Sequence, residues 1–91
     1  MVNAIILCVE SPINLGEKCP AARLLYGCQD PGKVKFDADS ISKELRGVVQ
    51  EAGFGGDSGN YAVDVILPTG TPNAETLLRG CLDKLGYDIR S

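Results

Sequence analysis

Histidine and tryptophan are both absent from the 91 residues, and the first absence excludes the most. A Ser–His–Asp triad and a Cys–His thiolate pair both draw on imidazole as the base that works at neutral pH, so those chemistries are closed to this chain. Aromatic residues amount to Tyr26, Tyr61, Tyr87, Phe36 and Phe54, which makes the expected core aliphatic. The longest apolar stretch, Ala4 to Val9, is far short of the ~20 residues a bilayer-crossing helix needs; no membrane is expected as a partner. Basic residues number nine, spread from Lys18 to Arg90 without a run, and the net charge is −3. Nucleic-acid grooves need clustered positive charge to displace counterions, so no direct nucleic-acid partner is expected. No Lys or Arg precedes Lys18, and Leu7 stands where a lipoprotein signal has a small residue before its cysteine. The expected setting is therefore cytoplasmic and reducing.

What is present is a globular composition, 44% apolar and 23% charged, which a chain of this length organises as one domain, residues 1–91, with a modest core. Cys8, Cys19, Cys28 and Cys81 are read as free thiols. Cys8 and Cys81 fall on apolar patterns, where Cys acts as a small hydrophobe. Cys19 and Cys28 bracket residues 20–27 as a candidate redox pair. Their spacing is wider than that of zinc-binding cysteine pairs, so neither a metal nor any other cofactor is expected.

Val2 to Val9 is apolar on both alternating faces, the pattern of a strand covered on both sides or lying in the middle of a small sheet. From Glu10 to Gly32 the pattern is lost among Ser-Pro, Leu-Gly, Cys-Pro and Asp-Pro-Gly, which predicts an irregular loop excursion with a short helix at 21–26. Lys33 to Phe36 alternates like a brief edge strand. Asp37 to Ser40 offer N-cap residues, and Ile41, Leu45, Val48, Val49 and Ala52 form a helical stripe stopped by Gly53. Asn60 to Leu67 alternates as a second strand: Tyr61, Val63, Val65 and Leu67 share one face and Ala62, Asp64 and Ile66 the other, the charge marking a face partly open to water. Thr71 and Pro72 then predict the start of a helix carrying Leu77, Leu78, Cys81, Leu82 and Leu85 inward to Gly86, followed by a short strand at 87–90. Leu45 to Phe54 also aligns with Leu78 to Tyr87, both opening on Leu-Arg-Gly, as two similar strand–helix units would. In this reading Gly47 and Gly80 allow close helix packing.

Gly-Asp-Ser-Gly at 56–59 resembles the sequence around the nucleophile of chymotrypsin-like serine proteases, but four residues without an imidazole carry no catalytic role. As a phosphate nest the stretch runs from helix to strand, opposite to the polarity that brings a helix N-terminus to an anion. The loop with the right polarity is 67–73, where Thr69, Gly70, Thr71 and Asn73 form a candidate anion-binding site, with Arg46 or Arg79 reaching over. No catalytic residue is expected.

The expected fold is α+β: a small two-layer sandwich in which two helices cover one face of a three- or four-stranded sheet, ferredoxin-like first and compact α/β second. The expected function is non-catalytic: a binding or regulatory protein acting through contact with another protein, as inhibitor or adaptor. Its acidity suits a basic partner surface. A homodimer pairing sheet edges or helix faces is one form of such contact, and residues 10–32 are its expected site. An anion sensor and a thiol-redox protein are the alternatives.

Overall fold

The computed structural model describes residues 2–26, 30–53 and 61–90. Along the chain run β1 (Val2–Glu10), β2 (Lys18–Leu25), α1 (Pro31–Leu45), β3 (Val48–Gly53), β4 (Tyr61–Ile66), α2 (Ala74–Lys84) and β5 (Tyr87–Arg90). The strands form one five-stranded mixed sheet in the order β3-β4-β2-β1-β5. Only β1 and β5 pair in parallel; the other neighbours are antiparallel. From β2 onward the elements follow in the sequence βαββαβ, and β1 lies between β2 and β5. The fold is α+β, with five strands rather than three or four.

Ala4, Ala22, Leu24, Val63 and Val65 face the helices and build the main core with Val34, Ala38, Ile41, Leu78 and Leu82. On β4 the alternation holds as read, with Val63, Val65 and Leu67 in this core. Both helices pack on this one face.

Several sequence expectations are corrected. The stretch 10–32 is irregular only in part, because β2 occupies its middle and pairs on both sides, with β1 and β4. Cys-Pro read as punctuation, yet Pro20 fits the strand. Its carbonyl accepts from the Leu67 amide at 2.8 Å, and a residue's N–H and C=O point to the same side of a strand. The missing donor therefore falls past the end of the β4 ladder, and no bond to β1 is lost. The segment 21–26 accordingly lies in β2, with Tyr26 just beyond its end, and forms no helix.

The first helix starts earlier and stops earlier than its apolar stripe implied. Asp30 is its N-cap, its Oδ1 accepting from the amides of Gly32 (2.9 Å) and Lys33 (3.4 Å), with Pro31 following in the first turn. Asp-Pro-Gly is thus a helix start, Lys33 to Phe36 are helical, and Asp37 to Ser40 lie in the helix interior. Arg46 ends the helix in the left-handed conformation at φ 57°. The Ser42 hydroxyl donates to the Gly47 carbonyl at 2.6 Å and fixes the exit. Val48 and Val49 then pair with Ile66 and Val65, where β-branched side chains suit a pleated surface.

The Leu-Arg-Gly likeness does not survive as a structural repeat. Its first copy spans a helix end and β3; its second runs from the middle of α2 through Gly86 to the start of β5, so the matching Leu-Arg-Gly falls at a helix end in one and inside a helix in the other. Gly47 is closely packed, but in the turn: a Cβ there would stand 2.9 Å from the Ile66 carbonyl oxygen, whereas one at Gly80 meets nothing within 4 Å.

The second helix begins at Ala74, after Asn73 in the left-handed conformation with no side-chain cap, so neither Thr71 nor Pro72 holds its expected position. Leu78, Cys81 and Leu82 are buried as expected, Leu85 is half-buried and Leu77 is exposed. Gly86, at φ 81°, turns the chain into β5. Among the described residues no helix is long and apolar enough to cross a membrane.

Candidate interaction surface

With both helices on one side, the other face of the sheet has no described element packed over it. Strand pairing sets its residues in rows. Val48, Ile66, Ala21 and Leu7 form one row from β3 to β1. Gln50, Asp64, Arg23, Ile5 and Arg90 form the next and cross all five strands. Ala62, Leu25, Asn3 and Asp88 form the third. Ile5, Leu7, Val9 and Leu25 are half-buried, and Val48 is 47% exposed. This is the two-sided apolar pattern of β1 made visible: Ala4 and Ile6 serve the core beneath the helices, and Ile5, Leu7 and Val9 face the open side.

At the centre of this face lies a charged pair. Arg23 donates through Nε to Asp64 Oδ1 at 2.9 Å and through its terminal nitrogen to Oδ2 at 3.0 Å. The guanidinium fork and the carboxylate meet in the bidentate geometry that suits both. Asp64 is buried, as are Ala62 and Ile66 beside it on this face of β4, and its oxygens are engaged by Arg23. The hydrogen bond to Asp64 holds the Arg23 guanidinium above its ordinary pKa against the opposing effect of burial. On β4 the face that Asp64 shares with Ala62 and Ile66 is buried, so the charge did not mark a side open to water; its carboxylate is engaged by Arg23 within the sheet.

One end of the face is bordered by the loop joining β1 to β2. Ser11 pins this loop: its Oγ accepts from the amides of Ile13 (3.2 Å) and Asn14 (3.1 Å), and its own amide donates to the Glu17 carbonyl at 2.8 Å. Gly16, at φ 92°, donates its amide to the Glu10 carboxylate. The pinned loop leaves Ile13 80% and Leu15 90% exposed. Between it and the sheet is a cleft of about 280 Å³ lined by Ile13, Cys19, Val48, Ile66, Pro68 and Thr69 among others. Of residues 10–32, then, 11–17 remain a surface loop beside the apolar face.

The candidate anion site is only partly assembled. The Thr71 hydroxyl donates back to the Pro68 carbonyl at 2.6 Å, and Thr69 Oγ1 lies 3.1 Å from the Cys19 thiol and 3.4 Å from the Glu17 carboxylate. Both hydroxyls are thus engaged within the protein, one of them beside a negative charge. Gly70, at φ 83°, turns the loop. Asn73 precedes α2 with its side chain outside any cap bond. Arg46 leads into β3, whose pairing opposite Ile66 puts it at the same end of the sheet as this loop. Arg79 pairs instead with Glu75 on its own helix at 3.6 Å. Cys19 is a buried free thiol; Cys28, its candidate redox partner, and the Gly-Asp-Ser-Gly stretch lie outside the described residues. Among the described residues, no three His, Cys, Asp or Glu side chains come together as a metal site would require.

Sequence reasoning did not find the Arg23–Asp64 pair, since Arg23 sat in a segment read as a short helix inside a loop excursion, whereas it lies in β2. The available signal was the alternation of Cys19, Ala21, Arg23 and Leu25, masked by Pro20. Compared with family models, curated proteins and solved structures, the chain matches none of them.

Proposed function

We propose that this chain is a non-catalytic binding protein that works by docking another protein surface on the open face of its sheet, as an adaptor or inhibitor. The observation that carries this reading is the row structure of that face. Half-buried Ile5, Leu7, Val9 and Leu25, with exposed Val48, surround a charged pair already satisfied internally. An antiparallel sheet with one solvated face ordinarily alternates apolar and polar residues, and β1 does not. Neighbouring apolar side chains left partly exposed on β1 and β2, with no helix over them, are the kind of surface an interaction site uses. Arg23 and Asp64 need no further charge from a partner, so a docking surface can be apolar over the centre and polar at the rim, the usual anatomy of an interface.

The βαββαβ succession from β2 to β5 supports reading the scaffold as a ferredoxin-like unit carrying one additional strand. The expected basic partner suits the acidic remainder of the surface better than this face, where Arg23 and Arg90 balance Asp64 and Asp88.

The test is Leu7→Glu, which sets a charge on the open face at a half-buried position. Proteins bound by the wild-type chain should be lost by the variant, with circular dichroism and urea midpoint close to wild type. Identical binding by a folded Leu7→Glu variant would refute the reading.

A further inference from the structure

We infer that the outer edge of β3 docks an extended, basic segment of another polypeptide, which adds to the sheet as a further strand. This goes beyond the docking role proposed for the sheet face, because it uses a different surface and a different kind of contact.

The two edges of the sheet differ in how they meet an incoming strand. An edge strand turns a row of backbone N–H and C=O groups away from the sheet, and proteins ordinarily blunt such an edge with short length, charge, lysine or proline. β5 is blunted: it has four residues, among them the charged Asp88 and Arg90. β3, at the other end of the sheet, has six residues, no lysine, no proline and a single charge, Glu51. That charge is held by the protein's own side chains, its carboxylate accepting from the Tyr26 hydroxyl at 2.9 Å and lying 3.5 Å from the Lys35 ammonium. Val48 and Val49 are 47% and 36% exposed, so the edge presents β-branched residues that suit a neighbouring strand. No described strand pairs with its outer side.

A cleft adjoins β3 on each face of the sheet. On the helix side, Val49 and Glu51 line one of about 270 Å³ together with Lys35 and Asp39 of α1. On the other side, Val48 lines the cleft of about 280 Å³ that it shares with Ile13, Glu17 and Ile66. Successive side chains of a strand point to opposite faces, so a segment laid along β3 sends neighbouring residues toward different clefts. Backbone bonds to β3 then hold the segment, and the clefts select its side chains. Charge names the class. Of the charged residues lining the two clefts, Lys35 is the only base, against Asp39, Glu51 and Glu17, and it is already paired with Glu51. Among the described residues no ion pair engages Asp39 or Glu17. A segment that alternates apolar residues, directed toward Val48 and Ile66, with Lys or Arg, directed toward Asp39 and Glu51, complements both sides.

The probe is a blocked, fluorescein-labelled octapeptide that alternates valine and lysine. Followed by anisotropy, it should bind the chain with a Kd below about 100 µM, and the counterpart with glutamate in place of lysine at least about tenfold more weakly. Methylating the backbone nitrogens of one alternate set of its residues should abolish binding, and methylating the other set should not, because alternate residues of a strand direct their N–H groups to opposite sides. Asp39→Lys, at an exposed position on α1, should weaken binding at least about tenfold. Asp83→Lys, an equal change of charge at an exposed position on α2, should leave the Kd within about twofold. Amide exchange should show protection gained along β3 and not along β5 when the peptide is added. No binding of the octapeptide, binding indifferent to which set of nitrogens is methylated, or an equal loss in Asp83→Lys overturns the inference. So does a wild-type dimer in sedimentation equilibrium whose β3 amides are protected without peptide, an outcome that makes a second copy the occupant of the edge.

Discussion

The hydroxyl of Tyr87, on edge strand β5, donates at 2.8 Å to Asp37 in the middle of α1, and both residues are buried. Lys33, one turn earlier, donates to the same carboxylate at 2.7 Å and sets its ammonium 5.5 Å from the Tyr87 ring centre. A buried carboxylate is tolerated only when its oxygens are engaged, and this one ties the last strand to the first helix. Tyr87→Phe should lower stability by about 1–2 kcal/mol in urea unfolding at pH 7. Asp37→Ala should cost more, since it leaves a buried hydroxyl without its acceptor.

The same pair sets an alkaline limit. Burial first, and then the hydrogen bond to Asp37, raise the Tyr87 phenol above its ordinary value, so the folded state holds a proton that the unfolded state releases from about pH 10. The stabilisation is complete below that pH and is lost as pH rises toward the folded-state value. Unfolding midpoints measured from pH 8 to 11.5 should fall above pH 10, less steeply in Tyr87→Phe. Equal slopes would show that another group governs the decline.

On the open face, Asp64→Ala removes the carboxylate that engages Arg23 in two bonds and should cost about 2–4 kcal/mol. Replacing the pair together, as Arg23→Met with Asp64→Leu, should recover most of that loss, because matched apolar residues avoid desolvating either charge. The urea midpoints of the single and double variants decide this.

Two glycines shared by the Leu-Arg-Gly likeness should respond with opposite sign. Gly47→Ala brings a Cβ to 2.9 Å from the Ile66 carbonyl oxygen and 3.0 Å from the Leu67 side chain, with backbone on one side that cannot give way. It should destabilise by about 1–3 kcal/mol. Gly80→Ala, in open space within α2, should stabilise by about 0.5–1 kcal/mol. Thermal melts of the two variants compare them directly.

Thiol reactivity should sort by environment. Cys8 is exposed. Burial, and then the Glu44 carboxylate 3.5 Å away, raise the Cys81 thiol above its usual value. Since the thiolate is the nucleophile, alkylation at pH 7.5 followed by peptide mass mapping should show Cys8 modified at least about tenfold faster than Cys81.

Features that belong to a few neighbouring residues were legible without coordinates. The alternation from Tyr61 to Leu67 follows from the two-residue period of a strand, and the inward Leu78, Cys81 and Leu82 from the 3.6-residue period of a helix. The absence of an imidazole base was equally plain, and the apolar run of β1 matched its place inside the sheet, between β2 and β5. Features that depend on a distant partner were not. Residues 18–25 became a central strand because β1 and β4 pair with it on either side, and the helical stripe ended at Leu45 because Val48 and Val49 were worth more against Val65 and Ile66 than on another helical turn. The Arg23–Asp64 pair joins positions 41 residues apart, a meeting created by strand register alone. Periodicity tells which side of an element is apolar, but not what lies across from it; here three-dimensional packing assigned both helices to one face of the sheet and gathered Cys19, Ala21 and Ile66 into a smaller buried cluster on the other.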